Sequence, residues 1–375
     1  MRLPRSTPEL TADSLPESAA WPRGYTVDRA GALHLRGVAV DDLAALWGSP
    51  LWVVDETEFV RRTKELIQVS GATPVLGSGP LGLLGGRWAK SHGWNVWGTP
   101  AALAHAWYLG IKPGRRVTDL RGVLGPDSLP EHTSAIVDLG SLVLLSHRRG
   151  ATGRAYLDVG GLSETGLGKA LRRLSTHSSP LPDLDGLVVE LGGDETADEV
   201  CSRAIRLFDV VSRVFPSQRN LFVDGRNHPE PLPVVAALVE MWSQLNDHAA
   251  RADARVLADV TPWLLRCSSV ALAQVESVQR APEGAHVGLS GGLPRPWHPL
   301  KSVPLVARPL RGTSIARVHS LDQRLGMLEA PLDVAPGDVL ALAGFESAPG
   351  LCVSLAPDGT SEAVPRADEG DGLFN

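Results

Sequence analysis

The chain has 375 residues, enough for one large domain or two ordinary ones around a sizeable core. Hydrophobic content of 43%, 21% charged residues and a net charge of −6 describe a globular protein and give no electrostatic reason to expect nucleic acid. No run of about 18 apolar residues is present, so no membrane span is expected. The first 20 residues lack the apolar core of a signal peptide. The three cysteines, Cys201, Cys267 and Cys352, show no metal-ligand spacing. These features point to a cytoplasmic protein. Lysines are few: Lys64, Lys90, Lys112, Lys169 and Lys301.

Residues 1–21, rich in Pro, Ser and acids, predict a flexible tail. A strand–helix alternation follows. Short apolar runs at 51–55, 73–76, 94–97, 116–120, 135–139, 154–159, 187–191, 220–224 and 255–260 read as strands. The segments 56–69, 81–92 and 100–109 between the first of them read as helices. Val200, Ala204, Leu207, Val211 and Val214 step by four and three, marking one face of a further helix. Strands alternating with helices argue for parallel βα units. After about Ser268 the pattern turns to strands, at 270–278, 286–289, 303–310, 314–319, 338–343 and 351–355, separated by turn signals such as Gly291-Gly292 and Pro336-Gly337-Asp338. The acidic tail after Pro365 reads as loose.

Several residues invite a sharper reading. Gly77-Ser78-Gly79-Pro80-Leu81-Gly82 matches G-x-G-x-x-G after a strand. The acid that a dinucleotide site needs about 20 residues on is missing, and a tight turn is the plainer reading. Ser78 is a candidate nucleophile at a barrel mouth, although no base is placed by spacing and G-x-S-x-G is not met. Glu190, Asp224 and Asp259 end predicted strands. They read either as a carboxylate cluster for acid–base or metal chemistry or as an arginine-paired rim, with Arg226 and Arg266 as partners. Trp88, Trp94, Trp97 and Trp107 read as pocket lining or, more plainly, as core. The 11 histidines form no H-E-x-x-H or Cys–His pattern.

The alternation does not by itself separate a closed barrel from an open doubly wound sheet. A resemblance decides. The stretch from Trp21 to Arg62, WPRGYTVDRAGALHLRGVAVDDLAALWGSPLWVVDETEFVRR, resembles the start of diaminopimelate decarboxylase, a pyridoxal-phosphate (PLP) enzyme with an alanine-racemase-like barrel. The similarity continues at 71–97, at Leu184-Asp185-Gly186-Leu187, at Gly291-Gly292 and at 334–341. It implies a (βα)8 TIM-type barrel over 46–274, with residues 22–45 joining 275–375 in a β domain. The α/β class and the element order agree with that plan.

The same resemblance implies that the cofactor machinery is missing. Ser78 stands at the imine-forming lysine, and Glu190 at the histidine that stacks on the PLP ring. Val223-Asp224-Gly225-Arg226-Asn227-His228 replaces a glycine-rich phosphate turn, and Asp259-Val260-Thr261-Pro262 replaces Glu-Pro-Gly-Arg. Gly312-Thr313-Ser314-Ile315 lacks the cysteine lent to the partner subunit, and 345–349 lacks Gly-Ala-Tyr. All of these groups serve one cofactor. The expectation is a pseudoenzyme: a degenerate homologue with no PLP, no metal and no decarboxylase activity. It would act by binding a small molecule at the barrel mouth, or by pairing as a homodimer or as a heterodimer with an active relative. The alternatives are repurposed chemistry at Ser78, Glu190, Asp224 or Asp259, and an active PLP-dependent decarboxylase.

Overall fold

The computed structural model describes residues 21–28, 32–99, 103, 116–121, 134–146, 154–176, 183–216, 218, 220–247, 254–282, 284–293, 305–306, 313–321, 323–345 and 351–364. The expected tail at 1–20, the strand ends at 303–304 and 307–310, most of the helix at 100–109 and the loose end after Pro365 lie outside them. Trp21, assigned to the tail from sequence, is buried edge-on against Tyr25 at 5.1 Å. No helix among the described residues is long and apolar enough to cross a membrane.

The chain divides into two compact units. The unit of residues 64–263 holds a closed barrel of eight parallel strands. In chain order these are Thr73–Gly77 (β5), Asn95–Gly98 (β6), Arg116–Asp119 (β7), Ser134–Val137 (β8), Arg154–Asp158 (β9), Asp183–Glu190 (β10), Asn220–Asp224 (β11) and Arg255–Asp259 (β12). Four strands precede the barrel in the chain, Tyr25–Val27 (β1), Leu33–Leu35 (β2), Val38–Ala39 (β3) and Leu51–Asp55 (β4). Closure is made by β12 pairing with β5 and by β9 pairing with β10. Val75, Trp97, Val117, Ile136, Tyr156, Val188, Phe222 and Leu257, one from each strand, meet as a single apolar cluster. The barrel interior is therefore packed core rather than a channel.

The helices obey ordinary local rules. Ala197–Ser212 buries Val200, Ala204, Leu207 and Val211 on one face, as the spacing predicts. Its first turn is closed by a capping box, with Thr196 accepting from the Glu199 amide and Glu199 accepting from the Thr196 amide. Ser78–His92 begins directly at the end of β5, so Ser78 is the first residue of a helix rather than part of a tight turn.

The other unit, residues 1–63 with 264–365, is rich in β structure. Here the fold departs from the sequence expectation. Leu51–Asp55 is not a barrel strand: it lies between Ser269–Ala281 (β13), to which it runs antiparallel, and Leu351–Leu355, to which it runs parallel. All five of its residues are buried. The closed barrel thus runs from Thr73 to Asp259, inside the predicted 46–274. The N-terminal strands β1–β3 form their own antiparallel sheet. Its Trp21, Tyr25, Leu33 and Leu35 share a core with Val53, Val270 and Val353. Arg36 donates from Nε to both carboxylate oxygens of buried Asp55, at 3.1 and 2.9 Å.

Candidate functional site

In a β-strand, residues i and i+2 face the same side. Two residues beyond the apolar cluster, at the C-terminal ends of the strands, come Gly77, Thr99, Asp119, Asp138, Asp158, Glu190, Asp224 and Asp259. Six of these eight positions are acids. The carboxyl ends of barrel strands are where such folds carry their sites.

Each acid has a local reason for its conformation. Asp119, Asp158, Asp224 and Asp259 accept from the backbone amide two residues on, at 3.1, 2.8, 3.3 and 2.8 Å. This is the turn that a short carboxylate makes with its own chain. In two cases the residue two further on is an arginine whose side chain folds back. Arg121 gives Nε and NH2 to Asp119 at 2.9 and 2.7 Å. Arg226 does the same to Asp224 at 2.8 and 2.5 Å.

Barrel closure makes these local motifs meet. Strands β7 and β11 stand on opposite sides of the eight-strand ring. Arg121, just past β7, reaches Asp158 on β9 at 3.2 Å and Asp224 on β11 at 3.7 Å. Its guanidinium therefore lies across the barrel axis. Both guanidiniums cover Trp97 of β6, Arg226 at 4.5 Å and Arg121 at 5.3 Å from the ring centroid. The indole Nε1 donates to Asp259 on β12 at 2.5 Å. The other Asp259 oxygen accepts from the Thr261 amide and hydroxyl, and that hydroxyl accepts from the Gly77 amide at 2.9 Å. A β-carbon at 77 would stand 3.2 Å from Asp259 Oδ2 and 3.4 Å from Trp97 Nε1, so a larger residue would have to push this hydrogen-bonded pair aside by a few tenths of an ångström.

Asp224 is 1% and Asp259 0% exposed, and they are register neighbours on β11 and β12. Burial and the charge of Asp224 push the Asp259 carboxyl up to about 6, against the pull of its Thr261 hydrogen bonds and of Arg226. Burial lowers the pKa of each arginine; bonds to Asp119 and Asp158 raise Arg121, and the bond to Asp224 raises Arg226, with a net rise for both. A carboxyl titrates near 3.9 when unfolded. Raising it in the fold adds a cost that is absent below that value and fully present above about 6. The contribution of Asp259 to stability therefore falls as pH rises from roughly 4 to 6. Carboxyl carbon NMR should place its midpoint about 6, and Asp224→Asn should move it down. A midpoint near 4 in the wild type would contradict this arrangement.

The structure brings two of the sequence candidates together, Asp224 and Asp259. Glu190 is in register with Asp224, but its exposed side chain accepts from Asn227 at 2.6 Å. Asp138 accepts from the Ser141 amide at 2.7 Å, at the start of the helix Leu139–Ser146. Ser78 sits on the backbone just past Gly77. The arginine-paired reading holds for Asp224 through Arg226. Sequence reasoning missed Arg121, Asp119 and Asp158 as site residues. The repeated Asp-x-Arg at strand ends was the available signal.

The described residues do not fit the PLP that the resemblance implies. In the turn that stands for the phosphate turn, the amides of Gly225, Arg226 and His228 already donate to protein acceptors, and in the segment that replaces Glu-Pro-Gly-Arg the Thr261 amide does the same. A side chain on Gly225 would meet Val260 Cγ1 at 3.0 Å, so this glycine serves strand packing. Lys64, Lys90 and Lys169 are exposed on helices, and Lys112 and Lys301 lie outside the described residues. Among the described residues, the four carboxylates that meet at the mouth outnumber the two guanidiniums. At an effective dielectric near 20, like charges about 4 Å apart repel by roughly 4 kcal/mol.

The barrel with its β-rich unit has the fold of solved diaminopimelate and lysine/ornithine decarboxylases. The particular structures it is similar to include diaminopimelate decarboxylase from M. jannaschii in complex with L-lysine, with TM-score 0.69 and 13% identity over 92% of this chain and 95% of that one. Diaminopimelate decarboxylase from Helicobacter pylori with L-lysine gives 0.64 and 12%, over 89% and 98%. Lysine/ornithine decarboxylase from Vibrio vulnificus with cadaverine gives 0.63 and 12%, over 83% and 92%. At such identities the likeness is one of fold. No family model matches the sequence, and no curated protein matches it.

Proposed function

We propose that this chain is a degenerate diaminopimelate decarboxylase homologue that holds no PLP and catalyses no decarboxylation. It acts as a pseudoenzyme in the cytoplasm, through binding or subunit pairing. The observation that carries this reading is the barrel mouth, where protein side chains and already bonded amides stand where a phosphorylated ring would have to be held. The test is direct. Purified protein mixed with excess PLP should show no imine absorbance and no mass gain on borohydride reduction beyond that of a surface-lysine control. A borohydride-trapped adduct on Lys112 or any other single lysine would restore the active decarboxylase reading.

Pairing, as a homodimer or with an active relative, follows from the retained framework. It is supported by Ile315 and Met327, 54% and 59% exposed on adjacent strands of the β-rich unit. Light scattering should report a dimer, and a monomer at high concentration with no partner recovered would count against it. A second reading, repurposed chemistry without PLP, is favoured by one observation: a buried carboxyl pushed up to about 6 beside a second acid is a common feature of acid–base sites. In that reading Asp259 and Asp224 carry the proton chemistry. A thermal-shift screen with amino acids, nucleotides and metals would find its ligand.

A further inference from the structure

We infer that the barrel mouth is shut against phosphorylated ligands by its own ion-pair plug, and that the absent lysine is not what keeps the cofactor out. This rests on the PLP-free reading and goes a step past it, because it assigns the cause. The plug is Arg121 and Arg226 laid over Trp97. It is tied to strands on opposite sides of the ring: Asp119 on β7, Asp158 on β9 and Asp224 on β11. The two Asp-x-Arg turns fold the guanidiniums back onto carboxylates of their own strands, so the cations are neutralised before a ligand arrives. Asp224 takes both of them, one through two hydrogen bonds and the other at 3.7 Å. A phosphate entering the mouth would have to displace buried Asp224 and half-buried Asp119 and Asp158 from their arginines while approaching Asp259, whose hydrogen bonds among the described residues come from Trp97 and Thr261 and not from a cation. A lysine added at position 78 changes none of this.

Two measurements test the inference. In the first, Ser78→Lys is mixed with PLP and followed by imine absorbance and borohydride trapping at residue 78. The expected result is no adduct; an adduct at the introduced lysine would overturn the plug while leaving the wild type's PLP-free reading intact. An adduct in the wild-type protein would instead sink that reading. In the second, melting is followed against inorganic phosphate at constant ionic strength, for the wild type and for Asp119→Asn/Asp158→Asn, which leaves Arg121 only its 3.7 Å approach to Asp224. The wild type should not shift. The double variant should rise by about 3 °C once phosphate reaches ten times its dissociation constant. Equal shifts, or none in either protein, would overturn the inference. Should the double variant not fold, Asp158→Asn alone gives the same comparison with a smaller expected rise.

Discussion

Gly186→Ala should leave the barrel unable to fold cooperatively. Gly186 sits on β10, opposite Asn220 of β11, where a β-carbon would overlap the Asn220 carbonyl oxygen, its carbon and its Cα. All three are backbone atoms of the neighbouring strand and have no rotamer to move into. The pairing with β9 is already irregular between Leu184 and Gly186, and Asn220 Nδ2 holds the Asp185 carbonyl at 3.1 Å, so neither strand is free to slide. The methyl group would have to break the ladder locally, a loss of at least about 4 kcal/mol. Insoluble protein, or loss of the cooperative melting transition, is the expected readout. The contrast is Gly168→Ala in the helix Glu164–Ser175, where the new methyl makes ordinary contacts with Val210 Cγ1 at 3.6 Å and the Arg172 guanidinium at 3.9 Å. There the change should stabilise by about 0.5–1 kcal/mol, because alanine loses less conformational freedom on entering a helix. Normal folding of Gly186→Ala would mean that β10 and β11 are spaced more widely than described.

Asp224→Asn should cost about 3 kcal/mol, seen as a fall in melting temperature on the order of 10 °C. The amide removes the one negative charge shared by Arg121 and Arg226. Arg121 keeps Asp119 and Asp158, whereas Arg226 loses its counter-charge and one of the two hydrogen bonds that hold its guanidinium on Trp97, because the amide keeps a single acceptor oxygen. The loss is smaller than for a fully buried pair, since Arg226 is 38% exposed and water takes up part of its charge. Relief of repulsion on Asp259 offsets a further part. Adding Arg226→Gln should recover much of the stability, because the orphaned cation is then gone. If the two changes simply add, Asp224 and Arg226 are not coupled and the plug is not a unit.

How much of this was legible in the sequence varies by element. The strand–helix alternation and the stepped face at Val200, Ala204, Leu207 and Val211 pointed to repeating βα units, because burial with these periods has few other solutions, while the choice of a closed ring over an open sheet came from the resemblance. The residues ending its strands were also visible, and their acidity is written in runs such as Arg116–Asp119, Arg154–Asp158 and Arg255–Asp259. The place of Leu51–Asp55 was not legible. A short apolar run reads the same in a parallel barrel and in a mixed sheet, since both bury it on two faces; only its partners at 269–272 and 351–355 decide. The plug was legible only by halves. Each Asp-x-Arg turn is local, set by the reach of a carboxylate to its own backbone. That Arg121 also meets Asp158 and Asp224, both distant in sequence, depends on eight strands closing into a ring that sets β7 opposite β11. Periodicity fixes which side of a strand a residue faces; ring closure alone determines which residues it faces across the axis.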